Sequence, residues 1–376
     1  MPKRSLNIIS FNIPYPPDYG GVIDIFYKIK TLKELGFNIV LHCFEYNRKA
    51  APELDKYCKK IYYYKRNIAR SNLFSFKPYI VISRAANELL VNLCSNKFPI
   101  LFEGIHSCYF LDSPKLKDRV KIVRTHNIEH HYYQSLAQSE INVFRKYYFY
   151  NEAYKLKNYE KILKHSSGIA AISENDRFYF ASKYKNVKRI SAFHPHQNID
   201  IKTGKGTFAL YHGSLSVSEN NYAAMYLVNN IFNDIKDIPL IIAGNKAGRE
   251  LINAIDNAGS DIELRSDINT EQIYQLVREA QINILPTFQP TGIKLKLLAA
   301  LFTGRHCIVN KYMVENTGLE SLCAIANNDI EMKKAIRKYF NKTFTTEQIQ
   351  QRQIVLKEKQ FTNETNGVKL AEMLFT

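Results

Sequence analysis

The residues best suited to chemistry form one run in the last third of the chain: Thr291, Gly292, Ile293, Lys294, Leu295 and Lys296, continuing to Gly304. An apolar segment, Ile282-Asn283-Ile284-Leu285-Pro286, stands just before it. The pattern predicts a buried strand, a turn with a glycine, and an amphipathic helix carrying two lysines in its first turns. At such a junction bare backbone N–H groups and the positive end of the helix dipole converge on one spot. Lysine adds a full charge there. The chemistry on offer is capture of a diphosphate, and hence of a nucleotide-linked molecule. Lys294 and Lys296 do not share a helix face, and Lys294 is the one expected to reach phosphate.

Other candidates lie upstream. Gly20-Gly21 would let backbone amides approach the same diphosphate; a plain surface turn is the bland alternative. His106 follows Leu101-Phe102-Glu103, a predicted strand, and strand ends are where open α/β sheets bind ligands. His126, Glu129, His130 and His131 form a polar cluster. His126 and His130 are four apart, but no well-spaced third ligand accompanies them, so no metal site is expected. A G-x-G-x-x-G fingerprint is absent, which disfavours a nicotinamide enzyme. No two of the six cysteines are closer than fourteen positions. That spacing offers no C-x-x-C pattern and fits buried thiols in a reducing compartment.

These residues need a scaffold, and the patterning predicts an α/β one. Residues 6–11, 38–43, 101–103, 121–124 and 168–172 have strand character. Helical spacing occupies 21–35 and 143–165. Gly36 stands at a C-cap position, and Ser173-x-x-Asp176 opens a further helix. The second half repeats the scheme, with strands at 208–211, 239–243, 262–265, 282–285 and 307–309. Strands alternating with helices imply parallel sheets and right-handed crossovers. Two such runs predict two Rossmann-like domains, 1–197 and 206–345. Residues 198–206 are the expected linker, and 346–376 a helical tail able to pack back on the first domain.

Charge is unevenly placed. Residues 1–190 hold 32 Lys and Arg against 16 Asp and Glu, nearly all of the net +17. Clustered cations suit a polyanionic partner: an anionic membrane face, nucleic acid or an acidic acceptor. A solvated basic face is the alternative. The first residues are too few and too polar for a signal peptide. No apolar run approaches the ~18 residues that span a bilayer. The expected location is the cytoplasm, peripheral at the inner face of the membrane.

The arrangement resembles the GT-B glycosyltransferases, in particular glycosyltransferase family 4. Five places carry the likeness: Pro14-x-Pro16-Pro17-x-x-Gly20-Gly21; Phe102-Glu103-Gly104-Ile105-His106; Thr125-His126-Asn127-Ile128-Glu129; His212-Gly213-Ser214 with Asn220-Asn221; and Gly292-Ile293-Lys294-x-Lys296 through Gly304. The resemblance implies two Rossmann-like β/α/β domains facing a central cleft. It implies a UDP- or GDP-type sugar donor and a glycan or polyprenyl-diphosphate-linked acceptor in bacterial polysaccharide synthesis. It further implies retention of anomeric configuration and independence of metal. No cofactor is expected, since the nucleotide sugar is a substrate. Carried onto this chain, the catalytic residues are His106 and Lys294. Donor phosphates fall to Gly20, Gly21, Gly213, Ser214, Thr291, Gly292, Ile293, Lys294 and Lys296. The acceptor side falls to His126, Asn127 and Glu129.

The chain departs from that family where two glutamates eight apart are usual. Thr291 and Ala299 stand there, and Asn220 and Asn221 occupy the place of a basic residue. A catalytically impaired GT-B-like binding subunit is therefore the rival reading. A basic nucleic-acid-binding protein is a second, disfavoured because the aromatics suit buried elements better than a stacking platform.

Overall fold

A computed structural model describes residues 4–140, 142–259, 261–288 and 295–375. The chain divides into two compact units. One runs to Pro195 and takes up the chain again from Thr362; the other is His196–Phe361.

The first unit holds seven strands: β1 (Ser5–Ser10), β2 (Asn38–Glu45), β3 (Lys60–Lys65), β4 (Ile100–Glu103), β5 (Lys121–Thr125), β6 (Gly168–Ala171) and β7 (Val187–Arg189). Their order is β3-β2-β1-β4-β5-β6-β7, parallel throughout. β4, β5 and β6 are buried along their whole length, as strands covered on both faces must be. The tyrosine-rich basic run, residues 61–66, falls largely in β3 at the sheet's edge. The second unit holds β8 (Ala209–His212), β9 (Leu240–Ala243), β10 (Ile262–Arg265), β11 (Ile282–Ile284), β12 (His306–Val309) and β13 (Ala324–Ile325). Their order is β10-β9-β8-β11-β12-β13, again parallel.

Both orders reverse once, between β1 and β4 and between β8 and β11. Loops leaving neighbouring strands there diverge to opposite faces and open a crevice at the strand ends.

The tail expected at 346–376 divides between the units. The helix Thr346–Glu358 belongs to the second. The helix Asn363–Phe375 packs on the helix Gly20–Glu34 of the first. Leu370, Met373 and Leu374 join Ile25, Ile29 and Leu32 in one core. Asn366 accepts from the Ser191 amide at 3.1 Å and Asn363 from the His194 amide at 3.1 Å, so polar contacts fix this helix as well as apolar ones.

Gly36 has φ +88° at the end of the helix Gly20–Glu34, and Ser173 caps its helix by accepting from the Asp176 amide at 3.1 Å. The segment 143–165 is an α-helix only to Tyr159 and tightens to a 3-10 turn beyond it. The helix Glu129–Ser139, which packs closely on it, has no side-chain cap and little apolar periodicity to announce it. Tertiary contact supplies what local signals lack.

Gly244 follows β9 where a Cβ would stand 1.9 Å from the Gly213 carbonyl oxygen. Backbone cannot yield there as a flexible side chain would. Gly244→Ala should therefore lower stability by about 1–3 kcal/mol or more, read from the urea midpoint of the purified variant.

Candidate functional site

In the first unit the switch point is built on buried charge. The helix Gly20–Glu34 begins directly after the loop that leaves β1, and its Asp24 and Lys28 point inward. Lys28 Nζ bonds Asp24 Oδ2 at 2.8 Å and both Glu103 oxygens at 2.7 and 2.8 Å. Arg124, inside β5, donates to Asp24 at 3.0 and 3.3 Å and to the carbonyls of Ile190 and Ser191. His126 Nε2 lies 3.0 Å from Glu103 Oε2. Lys28, Glu103 and Arg124 are wholly shielded from solvent.

Such charges are tolerated because two cations meet two carboxylates and nearly every lone pair is bonded. Burial by itself would raise both acids. Arg124 and then Lys28 outweigh it at Asp24, and Lys28 and then His126 at Glu103, so both carboxyls are held below their ordinary values. Asp24, Glu103 and His126 offer three ligand atoms within 4.8 Å of one another. A divalent cation would have to displace Lys28 and Arg124 to use them, so the donor set is that of an ion-pair network.

Next to this network, β4 ends and the chain turns at Gly104, with φ +67°. A Cβ there would also stand 2.7 Å from His106 Nδ1, so glycine is required on two counts. His106 lies against Phe11 at 5.1 Å between ring centroids, and His126 meets the same ring edge-on at 5.5 Å. His106 Nδ1 is buried without a hydrogen-bond partner. Burial first, then the nearby Arg84 and His126, push its pKa well below the usual value, so the ring is neutral. A neutral imidazole at a strand end can accept from a hydroxyl or donate to an oxygen. Gly20 and Gly21 form the first turn of their helix, whose amides lack helical acceptors.

The second unit repeats the geometry with different chemistry. β8 ends in His212, and Gly213 and Ser214 follow. His212 Nε2 is buried without a partner among the described residues, and burial, then Lys296, lower its pKa to about 3. Lys296 lies in the helix Leu295–Thr303. Its Nζ donates to Asn220 Oδ1 at 3.0 Å and sits 5.1 Å from the Tyr211 ring centroid. Asn220 in turn donates to the Ser214 carbonyl at 3.1 Å. Beyond β11 the chain is pinned at Thr287: its amide donates to Asn310 Oδ1 at 3.1 Å, its carbonyl accepts from Asn310 Nδ2 at 2.6 Å, and its hydroxyl bonds Glu219. Among the described residues, Lys296, the Glu219 carboxylate and a neutral imidazole thus gather at the switch point.

No protein-family model matches this chain. A Klebsiella pneumoniae protein, described as an uncharacterized 44.6 kDa protein in the cps region, is 27% identical over 362 residues, covering 88% of this chain and 90% of that one. A TarM variant from S. aureus, solved with Fondaparinux, alpha-GlcNAc-glycerol and UDP, superposes over 99% of this chain and all of its own, with TM-score 0.68 and 11% identity. Anabaena HepE with UDP and glucose matches over 99% of each chain, with TM-score 0.67 and 12% identity. The apo structure of OtsA gives TM-score 0.66 at 9% identity, over 100% of this chain and 99% of its own. The chain has the GT-B fold.

Within this GT-B chain, Thr291, Gly292, Ile293 and Lys294 lie outside the described residues. Lys296, Gly213 and Ser214 come together at the β8–β11 switch point, while Gly20, Gly21, His106 and His126 gather at the β1–β4 one. Ala299 is buried inside its helix, and its carbonyl accepts from Thr303 Oγ1 at 2.8 Å; it presents nothing to a ribose. Glu129 points inward rather than to a surface. With Asn127, Thr125 and His130 it lines a small, partly open pocket, and burial raises its pKa to about 8. Asp176, also buried, is raised to about 6. Asp24 and Lys28 escaped sequence reasoning because charge at helical spacing ordinarily means a wet face, and Arg124 because its partners lie far away in the chain. The i, i+4 pair Asp24–Lys28, flanked by Ile23, Ile25 and Ile29, was the one available signal.

Removing Lys28 leaves two carboxylates with one cation. Lys28→Met should cost about 3–5 kcal/mol, measured by chemical denaturation. Glu129 has the opposite pH sense. Its folded pKa is raised, so the stability it favours is complete below about pH 4 and is lost as pH rises toward about 8. Glu129→Gln should accordingly gain on the parent protein across that window, by on the order of a few kcal/mol. A flat difference in unfolding free energy from pH 4 to 8 would refute the burial of a neutral carboxyl.

Proposed function

We propose that this protein is a glycosyltransferase that moves a sugar from a nucleoside-diphosphate donor, of UDP type, to a glycan or lipid-linked acceptor in polysaccharide synthesis. The observation that carries the reading is the site at the β8–β11 switch point, where Lys296, in the helix Leu295–Thr303, donates to Asn220. The presence of UDP in the TarM and HepE complexes supports that base. The cps region named for the Klebsiella relative supports the polysaccharide role.

In this reading the second unit takes the donor. Amides at residues 292–293 and at Gly213, together with Lys294 and Lys296, stabilise the diphosphate as the glycosidic bond to it breaks. One preorganised donor aimed at such charge is worth about 3 kcal/mol, and none of these groups is a metal. The first unit takes the acceptor, with neutral His106 hydrogen-bonding a sugar or acceptor hydroxyl. Transfer proceeds with retention and without a protein nucleophile. The enzyme works in the cytoplasm at the inner membrane face, where its basic half meets anionic lipid.

The missing glutamate pair favours a second reading on one observation: buried Ala299 cannot accept from a ribose. A binding subunit would take up UDP and release no product. Incubation with UDP-glucose and related donors, followed by UDP release and by melting shifts with UDP, GDP and ADP, separates the two. Lys294→Ala and Lys296→Ala should each slow transfer at least about tenfold, with melting temperatures close to the parent's. Unaltered turnover in both would remove this helix from the mechanism.

A further inference from the structure

The helix Val143–Tyr159 buries Glu152, Ala153 and Leu156. On other faces Phe144, Tyr147, Tyr150 and Tyr154 recur at three- and four-residue steps and stand in water, Phe144 at 87% and Tyr147 at 74% of full exposure. Beside them runs a short turn, Arg70–Phe74, that buries none of its residues. Phe74 is 89% exposed and Phe76 100%. One bond ties the turn to the helix, and a second ties the segment that follows the turn. Lys155 Nζ donates to the Leu73 carbonyl at 2.8 Å, and the Tyr79 amide donates to Glu152 at 2.6 Å. Large aromatics gathered on one surface mark an interaction site rather than ordinary surface scatter.

The charge around them is mostly of one sign; the carboxylates there are Glu140, 3.3 Å from Arg145, and Glu152, 3.0 Å from Lys155. Residues 65–77 include Lys65, Arg66, Arg70 and Lys77 and not one carboxylate. The helix adds Arg145, Lys146, Lys155 and Lys157, and its single acid, Glu152, is buried. A second copy of this chain would bring cations against cations. Among the described residues no helix is long and apolar enough to cross a membrane.

We propose that this surface docks on an anionic lipid bilayer, with Phe74 and Phe76 entering the acyl boundary and the lysines and arginines lying over headgroups. Aromatic side chains with one apolar and one wet end favour that boundary. Basic side chains nearby add electrostatic attraction that salt weakens. The inference builds on the membrane location given above and is independent of which reaction the site performs.

The test is co-sedimentation of the full chain with vesicles of phosphatidylcholine alone and of equimolar phosphatidylcholine and phosphatidylglycerol, at low and high salt. The protein should follow the anionic vesicles only, and high salt should weaken binding. The double variants Phe74→Ser with Phe76→Ser, and Tyr147→Ser with Tyr154→Ser, should each bind at least about tenfold more weakly. Their melting temperatures and UDP-induced melting shifts should match the parent's, which keeps this result separate from the donor reading. Failure to sediment at low salt, or variants that bind like the parent, would overturn the proposal. So would a dimer, or a complex with an acidic protein, that dissociates in these variants while lipid binding persists.

Discussion

Two cations neutralising two carboxylates inside the first unit are the constraint on which its site depends. Asp24 and Lys28 come from the helix after β1, Glu103 from the end of β4 and Arg124 from β5. Arg124 also grips the carbonyls of Ile190 and Ser191, and the Phe193 amide donates to Asp24 at 2.8 Å. Residues 190–193 are thus tied to the unit's first helix through one carboxylate. Buried ions are poor contributors to net stability but costly to leave unmatched. Their effect is to fix one arrangement of strand ends, and that arrangement sets Gly104, His106 and the Phe11 ring in place.

Among its described residues the second unit solves the same geometric problem without a buried ion network. Its switch point rests on backbone contact at Gly213 and Gly244, on the Thr287–Asn310 pair, and on Lys296 reaching Asn220. The charged groups described there are Lys296 and Glu219, whereas the first unit joins two cations to two carboxylates. A lysine at a strand end can meet a phosphate oxygen, and a neutral imidazole can meet a hydroxyl. The two units therefore share a topology and differ in the side chains gathered at their strand ends.

Surface charge is a separate matter from the sites. The basic excess of the first half includes Lys28 and Arg124, which are consumed internally, and exposed cations such as Lys65, Arg70 and Lys157, which are not. A count of charge cannot separate these two populations. Burial can, because a paired interior cation has no field left for a partner, while an exposed one keeps it.

The sequence alone determined the two parallel-sheet units, most strand positions and the strand-to-helix junctions, since those follow from local periodicity and from glycine placement. It also marked His106, Gly213 and Lys296 by their position at strand and helix ends. Only the tertiary structure decided that Asp24, Lys28, Glu103 and Arg124 form one cluster, since they lie up to a hundred positions apart and nothing local pairs them. It likewise decided that Glu129 faces a small pocket and that the last helix returns to the first unit. Burial and pairing are properties of what surrounds a side chain, and the surroundings come from distant parts of the chain.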